Sequence, residues 1–261
     1  MYVFYILYHF EFKNTRGENK MLQVIFEDAH VLVVWKPVGV ESQSSRGFGA
    51  DMVSEIRRHL YKTSKKPGEP YVGVIHRLDK PVSGVMVYAK DKKSAAALSL
   101  QVSEGKMKKR YLAVLCGKPE SKEEVFVDYL KKDEKENVSR IVEEGTEGAK
   151  RAELVCRTAG LRTDPKWGEL TLAEIELKTG RHHQIRVQMA GHGLPLWGDG
   201  KYNPMFNGEA AERKGSAQVA LSSFYLSFIH PALGRRVSFE RLPEAEIFRN
   251  FEKPEKSEEQ E

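Results

Sequence analysis

Between Met21 and Phe239 the apolar residues of this chain fall in short runs, and turn-forming residues cut off nearly every run. Such punctuation reads as short strands alternating with a few helices. Leu22–Phe26 and Val31–Trp35 are separated only by Glu27-Asp28-Ala29-His30, the spacing of a hairpin. Lys36-Pro37-Val38-Gly39 ends the second run, because Pro lacks a ladder donor and Gly permits a turn. The same reading predicts strands at Tyr71–Ile75, Gly84–Lys90, Arg110–Cys116, Val125–Leu130, Ala152–Cys156, Glu169–Lys178, Val219–Ile229 and Val237–Phe239. Within Glu169–Lys178 the apolar residues stand at 170, 172, 175 and 177, and the change of phase near Ala173 predicts a bulge.

Helical spacing is confined to three segments. Ala50–Tyr61 carries Met52, Val53, Ile56 and Leu60 on one stripe. Asp91–Glu104 opens on Asp91 as its N-cap, and His182–Ala190 stops at Gly191 or Gly193. Lys131–Lys150 is charged and weakly patterned, a surface excursion with at most a short hairpin. Strands joined by short turns outnumber helices, so the predicted class is α+β: a mixed, mainly antiparallel β-sheet with flanking helices.

With 261 residues the chain can bury a substantial core, in one large domain or two small ones. Two cysteines forty residues apart, Cys116 and Cys156, argue against a disulfide framework and a Cys-based zinc site and suit the reducing cytoplasm. No stretch reaches the roughly 18 apolar residues of a membrane-spanning helix. Met1–Phe12 is apolar but lacks the basic start and small-residue cleavage site of a secretory signal. Residues 1–20 are therefore read as a dispensable or misassigned extension, 21–251 as the folded body and 252–261 as a disordered acidic tail. That tail holds five acidic and two basic residues, so the net charge of +5 conceals a body of +8. A moderately basic body fits a polyanionic partner, though many ordinary enzymes are as basic.

Three polar clusters interrupt the strand pattern. In His76-Arg77-Leu78-Asp79-Lys80-Pro81-Val82-Ser83-Gly84 an extended backbone puts Arg77 and Asp79 on one side and Leu78 on the other. That arrangement is either a surface ion pair at a strand end or a charged working surface. In Thr179–Val187 helical spacing puts His182 and Arg186 on one face, with Gly180 and Arg181 at the helix entrance. Adjacent His182 and His183 would diverge by about 100° on a helix, which opposes chelation of one metal. In Gly105–Tyr111 the cations Lys106, Lys108, Lys109 and Arg110 precede Tyr111, a pattern of phosphate contact plus base stacking or simply of a solvated helix end. His76–Asp79 is not a kinase loop, since Leu78 intervenes and neither a Gly-rich phosphate loop nor DFG occurs; a Walker motif is also missing.

In order, Lys36–Gly39 (KPVG), His76–Gly84 (HRLDKPVSG), Ala89-Lys90, Lys109–Val114 (KRYLAV), Gly180–Gln188 (GRHHQIRVQ), Gly193–Tyr202 (GLPLWGDGKY), His230-Pro231 and Leu242-Pro243 resemble the RluA-type pseudouridine synthase family. A lone HRLD is weak; HRLDxxxSG followed roughly a hundred residues later by GRxHQIRV is highly specific. The resemblance implies a sheet around a central RNA-binding cleft and isomerisation of uridines in structured RNA, ribosomal or transfer. It implies no cofactor, no metal and no obligatory protein partner for a monomer.

The resemblance assigns Asp79 as the catalytic aspartate, Tyr111 as the ring that stacks on uracil and Arg186 as the basic residue that pairs with the aspartate. Arg77 matches the arginine that helps evict the target nucleotide, and Lys108, Lys109, Arg110, Arg181, His182 and Gln184 stand where RNA contacts are expected. A carboxylate suits the reaction either as nucleophile at the anomeric carbon or as base at C2′. Departures from the pattern are Val82 and His182, where members often have Thr, and Gln188, where they often have His. The rival readings are an RNA-binding protein of this fold without turnover and a glycosidase-like nucleoside hydrolase.

Overall fold

The structure, a computed structural model, describes residues 6–8, 22–44, 51–63, 68–207 and 218–252. Among the described residues twelve strands and three α-helices follow one another as β1 (Ile6–Tyr8), β2 (Gln23–Glu27), β3 (Val31–Lys36), α1 (Met52–Thr63), β4 (Gly73–Val74), β5 (Ser83–Ala89), α2 (Lys92–Ser103), β6 (Lys108–Cys116), β7 (Glu123–Asp133), β8 (Val138–Val142), β9 (Lys150–Asp164), β10 (Gly168–Leu177), α3 (Gln184–Gly191), β11 (Leu221–Ile229) and β12 (Arg236–Glu240). The α+β class follows, with antiparallel pairing of β2 with β3, β3 and β4 with β5, β11 with β12, β6 and β9 with β10, and β8 and β9 with β7, and parallel pairing of β1 with β12. The chain divides into two compact units, residues 1–109 with 223–242 and residues 110–222 with 243–261.

In the first unit the strands run in the order β2-β3-β5-β11, with β12 on β11 and the short β4 on β5. Every residue of β3 and β5 is buried, which is why VLVVWK and SGVMVYA read as continuous runs rather than alternating ones. Their inward side chains join Leu98 of α2 with Leu226, Phe228 and Phe239 in one core. Asp91 caps α2 as expected, its carboxylate accepting from Ser94 N at 2.8 Å. Helix α1 buries its whole predicted stripe, Met52, Val53, Ile56 and Leu60. Gly84 has φ +146°, and a Cβ there would stand 2.5 Å from the carbonyl of Ser223, so only glycine lets β5 pass β11. Of the expected extension 1–20 only residues 6–8 are described; they pair in parallel with Val237–Phe239 of β12.

In the second unit the order is β6-β10-β9-β7-β8. The β9–β10 register does shift between Leu172 and Ala173, but the extra residue is Ala159, skipped between Gly160 and Thr158, so the bulge expected in β10 lies on β9 and β10 keeps an unbroken register with β6. The segment read as a weak excursion is instead a full hairpin, β7 turning through Asn137 (φ +52°) into β8. Helix α3 packs on it, with Val187 against Leu130 and Ala152. A Cβ on Gly191 would lie 2.3 Å from Ile141 Cδ1, so a side chain there would have to push aside the exposed end of Ile141 where the helix end seats on β8. Cys116 and Cys156 are free and buried. No helix among the described residues is long and apolar enough to cross a membrane. The proposed disorder of the tail concerns residues 253–261, which lie outside the described residues.

Candidate active site

The segment from Ile75 to Asp79 belongs to no strand ladder. Its side chains alternate as expected, with Arg77 exposed, Leu78 buried and Asp79 half-buried. The backbone is held by side chains from distant parts of the first unit. Ser42 Oγ accepts from Leu78 N at 3.0 Å and donates to Leu78 O at 2.8 Å, while Ser42 O accepts from the Tyr88 hydroxyl at 3.0 Å. Asp79 O closes a turn by accepting from Val82 N at 3.0 Å.

Beneath this turn lies Lys36, fully buried, whose ammonium donates to the carbonyls of Val40 (2.6 Å), Pro37 (3.0 Å) and Lys80 (3.3 Å). One cation thus ties the KPVG turn to the turn that presents Asp79. Burial pushes the Lys36 ammonium down to about 7, against the opposing pull of the Asp79 carboxylate. In the unfolded chain it keeps its usual 10.5. Between these values the unfolded chain binds the extra proton, so Lys36 makes stability rise with pH from about 7 to about 10.5. Lys36→Met removes that contribution. Unfolding free energies from denaturant titrations across this range are expected to climb for the wild-type protein relative to the variant, by a few kcal/mol at about 1.4 kcal/mol per pKa unit; parallel curves would refute the coupling.

His76 is buried, and its Nε2 accepts from Val87 N at 3.3 Å, so the ring proton sits on Nδ1. Burial, with the charge of Lys109 behind it, pushes this imidazole down to about 3 and keeps it neutral. Burial also lowers the Lys109 ammonium, whereas Lys108 is exposed. The first unit thus assembles Lys36, His76, Arg77, Asp79 and Lys109 around one segment.

In the second unit Tyr111 is buried on β6, opposite Ile175 of β10. Arg110 precedes it on a strand and projects to the other face, where its Nη1 meets Glu174 Oε1 at 3.0 Å. Helix α3 begins at Gln184, not at His182. His183 ends the preceding loop in a left-handed conformation (φ +53°), and its ring stacks on His182 at 3.7 Å. The expected helical pairing of His182 with Arg186 fails for this reason, as does the argument that the two rings must diverge. His182 Nδ1 lies 2.9 Å from Ser139 Oγ.

Gln184 is buried, and its amide braces the loop: Oε1 accepts from Thr179 Oγ1 (2.7 Å) and Arg181 N (3.0 Å), and Nε2 donates to Glu153 O (3.1 Å). Arg181 is exposed, with Nε on the carbonyl of Arg151 at 2.9 Å. Arg186 is buried and forms a two-pronged pair with Asp199, Nε to Oδ2 and Nη2 to Oδ1, both 2.7 Å. Asp199 Oδ1 also accepts from Lys201 N at 2.9 Å, fixing the turn that carries Tyr202. Asp199, Ser42, Tyr88 and the buried ammonium of Lys36 were not singled out from sequence; the GD of GDGKY was the available signal for Asp199.

Chemically, the first unit offers an anchored carboxylate beside an exposed guanidinium, and the second a buried aromatic ring and an immobilised guanidinium. Residues 30–191 match the family model described as RNA pseudouridylate synthase. The chain is 32% identical over 223 residues to the ribosomal large subunit pseudouridine synthase D of Zymomonas mobilis, covering 84% of this chain and 68% of that one. It is 32% identical over 240 residues to an uncharacterized RNA pseudouridine synthase of Bacillus subtilis, covering 89% and 73%. Human RNA pseudouridylate synthase domain containing 1 shares the fold, with a TM-score of 0.67 at 19% identity over 87% of this chain and 85% of that one.

Proposed function

The chain belongs to the RNA pseudouridylate synthase family, and from that premise we propose that Asp79 is the carboxylate with which it converts uridine in RNA to pseudouridine. The conversion breaks the bond from C1′ of ribose to N1 of uracil, turns the base and joins C1′ to C5. The hydrogen of C5 leaves to water and N1 gains one, so the reaction is an isomerisation that consumes nothing. A carboxylate serves as nucleophile at C1′ or as base at C2′.

The observation that carries the assignment is the fixing of the Asp79 segment by Ser42 and Lys36, which holds a half-exposed carboxylate in one place. Tyr111 is the ring against which the detached uracil is held, and Arg186 is the fixed positive charge of the site. Water must be kept out at that stage, since hydrolysis would release free uracil. The exposed Arg77 suits eviction of the target nucleotide from a stem, and Lys108, Lys109, Arg181 and His182 suit contact with the RNA backbone. The substrate is a structured ribosomal or transfer RNA; relatives named for the ribosomal large subunit favour the first. The protein acts as a cytoplasmic monomer on this reading, with residues 21–251 as its catalytic body.

RNA tritiated at C5 of uracil tests this. Isomerisation releases tritium to water without free base. Free uracil would instead establish a hydrolase, and tight binding without any release would leave an RNA-binding protein.

A further inference from the structure

We propose that Tyr202 is a positioning residue for the reaction, locking the Arg186 guanidinium and the His182–His183 loop to the β7–β8 hairpin. The proposal rests on the reading that Arg186 serves the isomerisation. Three parts of the second unit meet at this one side chain. Its hydroxyl accepts from Ser139 N of β8 at 2.7 Å. A phenol that accepts there still has its own hydrogen to give, and His183 Nδ1 stands 2.8 Å away. Its ring lies under the Arg186 guanidinium, 5.2 Å from centroid to Cζ. Ser139 completes the link, because its hydroxyl donates to His182 O at 2.8 Å.

Two features distinguish this from ordinary packing. His183 holds a left-handed backbone conformation that is unfavourable for a β-carbon-bearing residue, and such conformations persist only where the surroundings enforce them. Tyr202 is part of that enforcement. In addition, Asp199 grips Arg186 from one side while its backbone turn delivers Tyr202 to the other, its Oδ1 lying 3.3 Å from Tyr202 N. The guanidinium is thus fixed both in its plane and across its face. A planar cation held on both counts keeps one orientation, which a flexible surface arginine does not.

The test uses the full-length protein, RNA tritiated at C5, single-turnover tritium release at saturating RNA, RNA affinity and melting temperature. Tyr202→Phe keeps the ring and removes only the hydroxyl. It is expected to slow release roughly 10- to 100-fold, the scale of a small misplacement, with RNA affinity changed less than about twofold. Combining it with Arg186→Met is expected to be no slower than Arg186→Met alone, because the two act through one group. His183→Gly, which suits the left-handed backbone, is expected to slow release with little change in melting temperature; this variant keeps the test valid if Tyr202→Phe folds poorly. A wild-type rate in Tyr202→Phe or His183→Gly, with Arg186→Met slow, overturns the proposal alone. So does a double variant slower by the full product of the single effects. A wild-type rate in Arg186→Met overturns the reading of Arg186 and this proposal with it.

Discussion

Asp79→Asn is expected to abolish turnover while leaving the fold and RNA affinity in place. The amide matches the carboxylate in shape, and what fixes the segment is backbone: Leu78 on the Ser42 hydroxyl, Asp79 O on Val82 N, and Lys80 O on the Lys36 ammonium. None of those bonds uses the carboxylate. A neutral amide can neither attack the anomeric carbon nor take a proton from C2′, so both chemical routes fail together. The loss should be at least about a thousandfold, as when a nucleophile is removed from an enzyme whose binding groups remain. Single-turnover tritium release and filter binding of the same RNA measure the two halves of this expectation. Release at the wild-type rate would remove Asp79 from the mechanism; lost binding would make it an RNA contact instead.

Asp199→Ala is expected to be the most destabilising single change at the site. The Arg186 side chain retains 4% exposure and the Asp199 side chain none. Deleting the carboxylate takes a two-pronged partner from a buried cation, an event that costs about 3–5 kcal/mol because the desolvated charge stays behind. The amides of Lys201 and Tyr202 lose their acceptor at the same time. Asp199→Asn retains the shape and an acceptor oxygen and should recover part of the loss. Urea unfolding of the three proteins gives the comparison, with a midpoint shift and an unchanged slope expected. An Asp199→Ala protein as stable as the parent would show that the pair contributes orientation but no net stability.

What could be read in the residues, and what could not, divides on the range of the interactions. The stripe of α1 and the cap of α2 are each written within a few neighbouring positions and stand where the pattern puts them, whereas the break of phase at Ala173 marks a bulge carried by the neighbouring strand, at Ala159. The β7–β8 hairpin is equally local, but its outward residues are charged on both strands. Val125 and Val127 also point outward, so the alternation that marks a half-buried strand is blurred. The start of α3 was set two residues early because the pattern carries no sign that His183 would turn left-handed; a Gly or Asn there would have announced it. The supports of the site are the least legible. Ser42 reaches Leu78 across 36 positions and Tyr202 reaches Ser139 across 63, and bonds of that span leave no local trace. The HRLD and GRxHQIRV segments were legible as segments, whereas the division of labour within them, with Gln184 inward and Arg181 outward, needed the fold.

The Ser42 hydroxyl has a wider meaning than anchorage. A residue in a sheet satisfies its N–H and C=O by borrowing a neighbouring strand, and the neighbour then occupies the space beside it. Leu78 obtains both bonds from one oxygen atom. The chain around Asp79 is thereby held without belonging to a strand ladder, and the exposed side of Arg77 stays open to solvent. A surrogate that small reconciles two demands that ordinarily conflict, a rigid reacting backbone and an uncluttered approach to it.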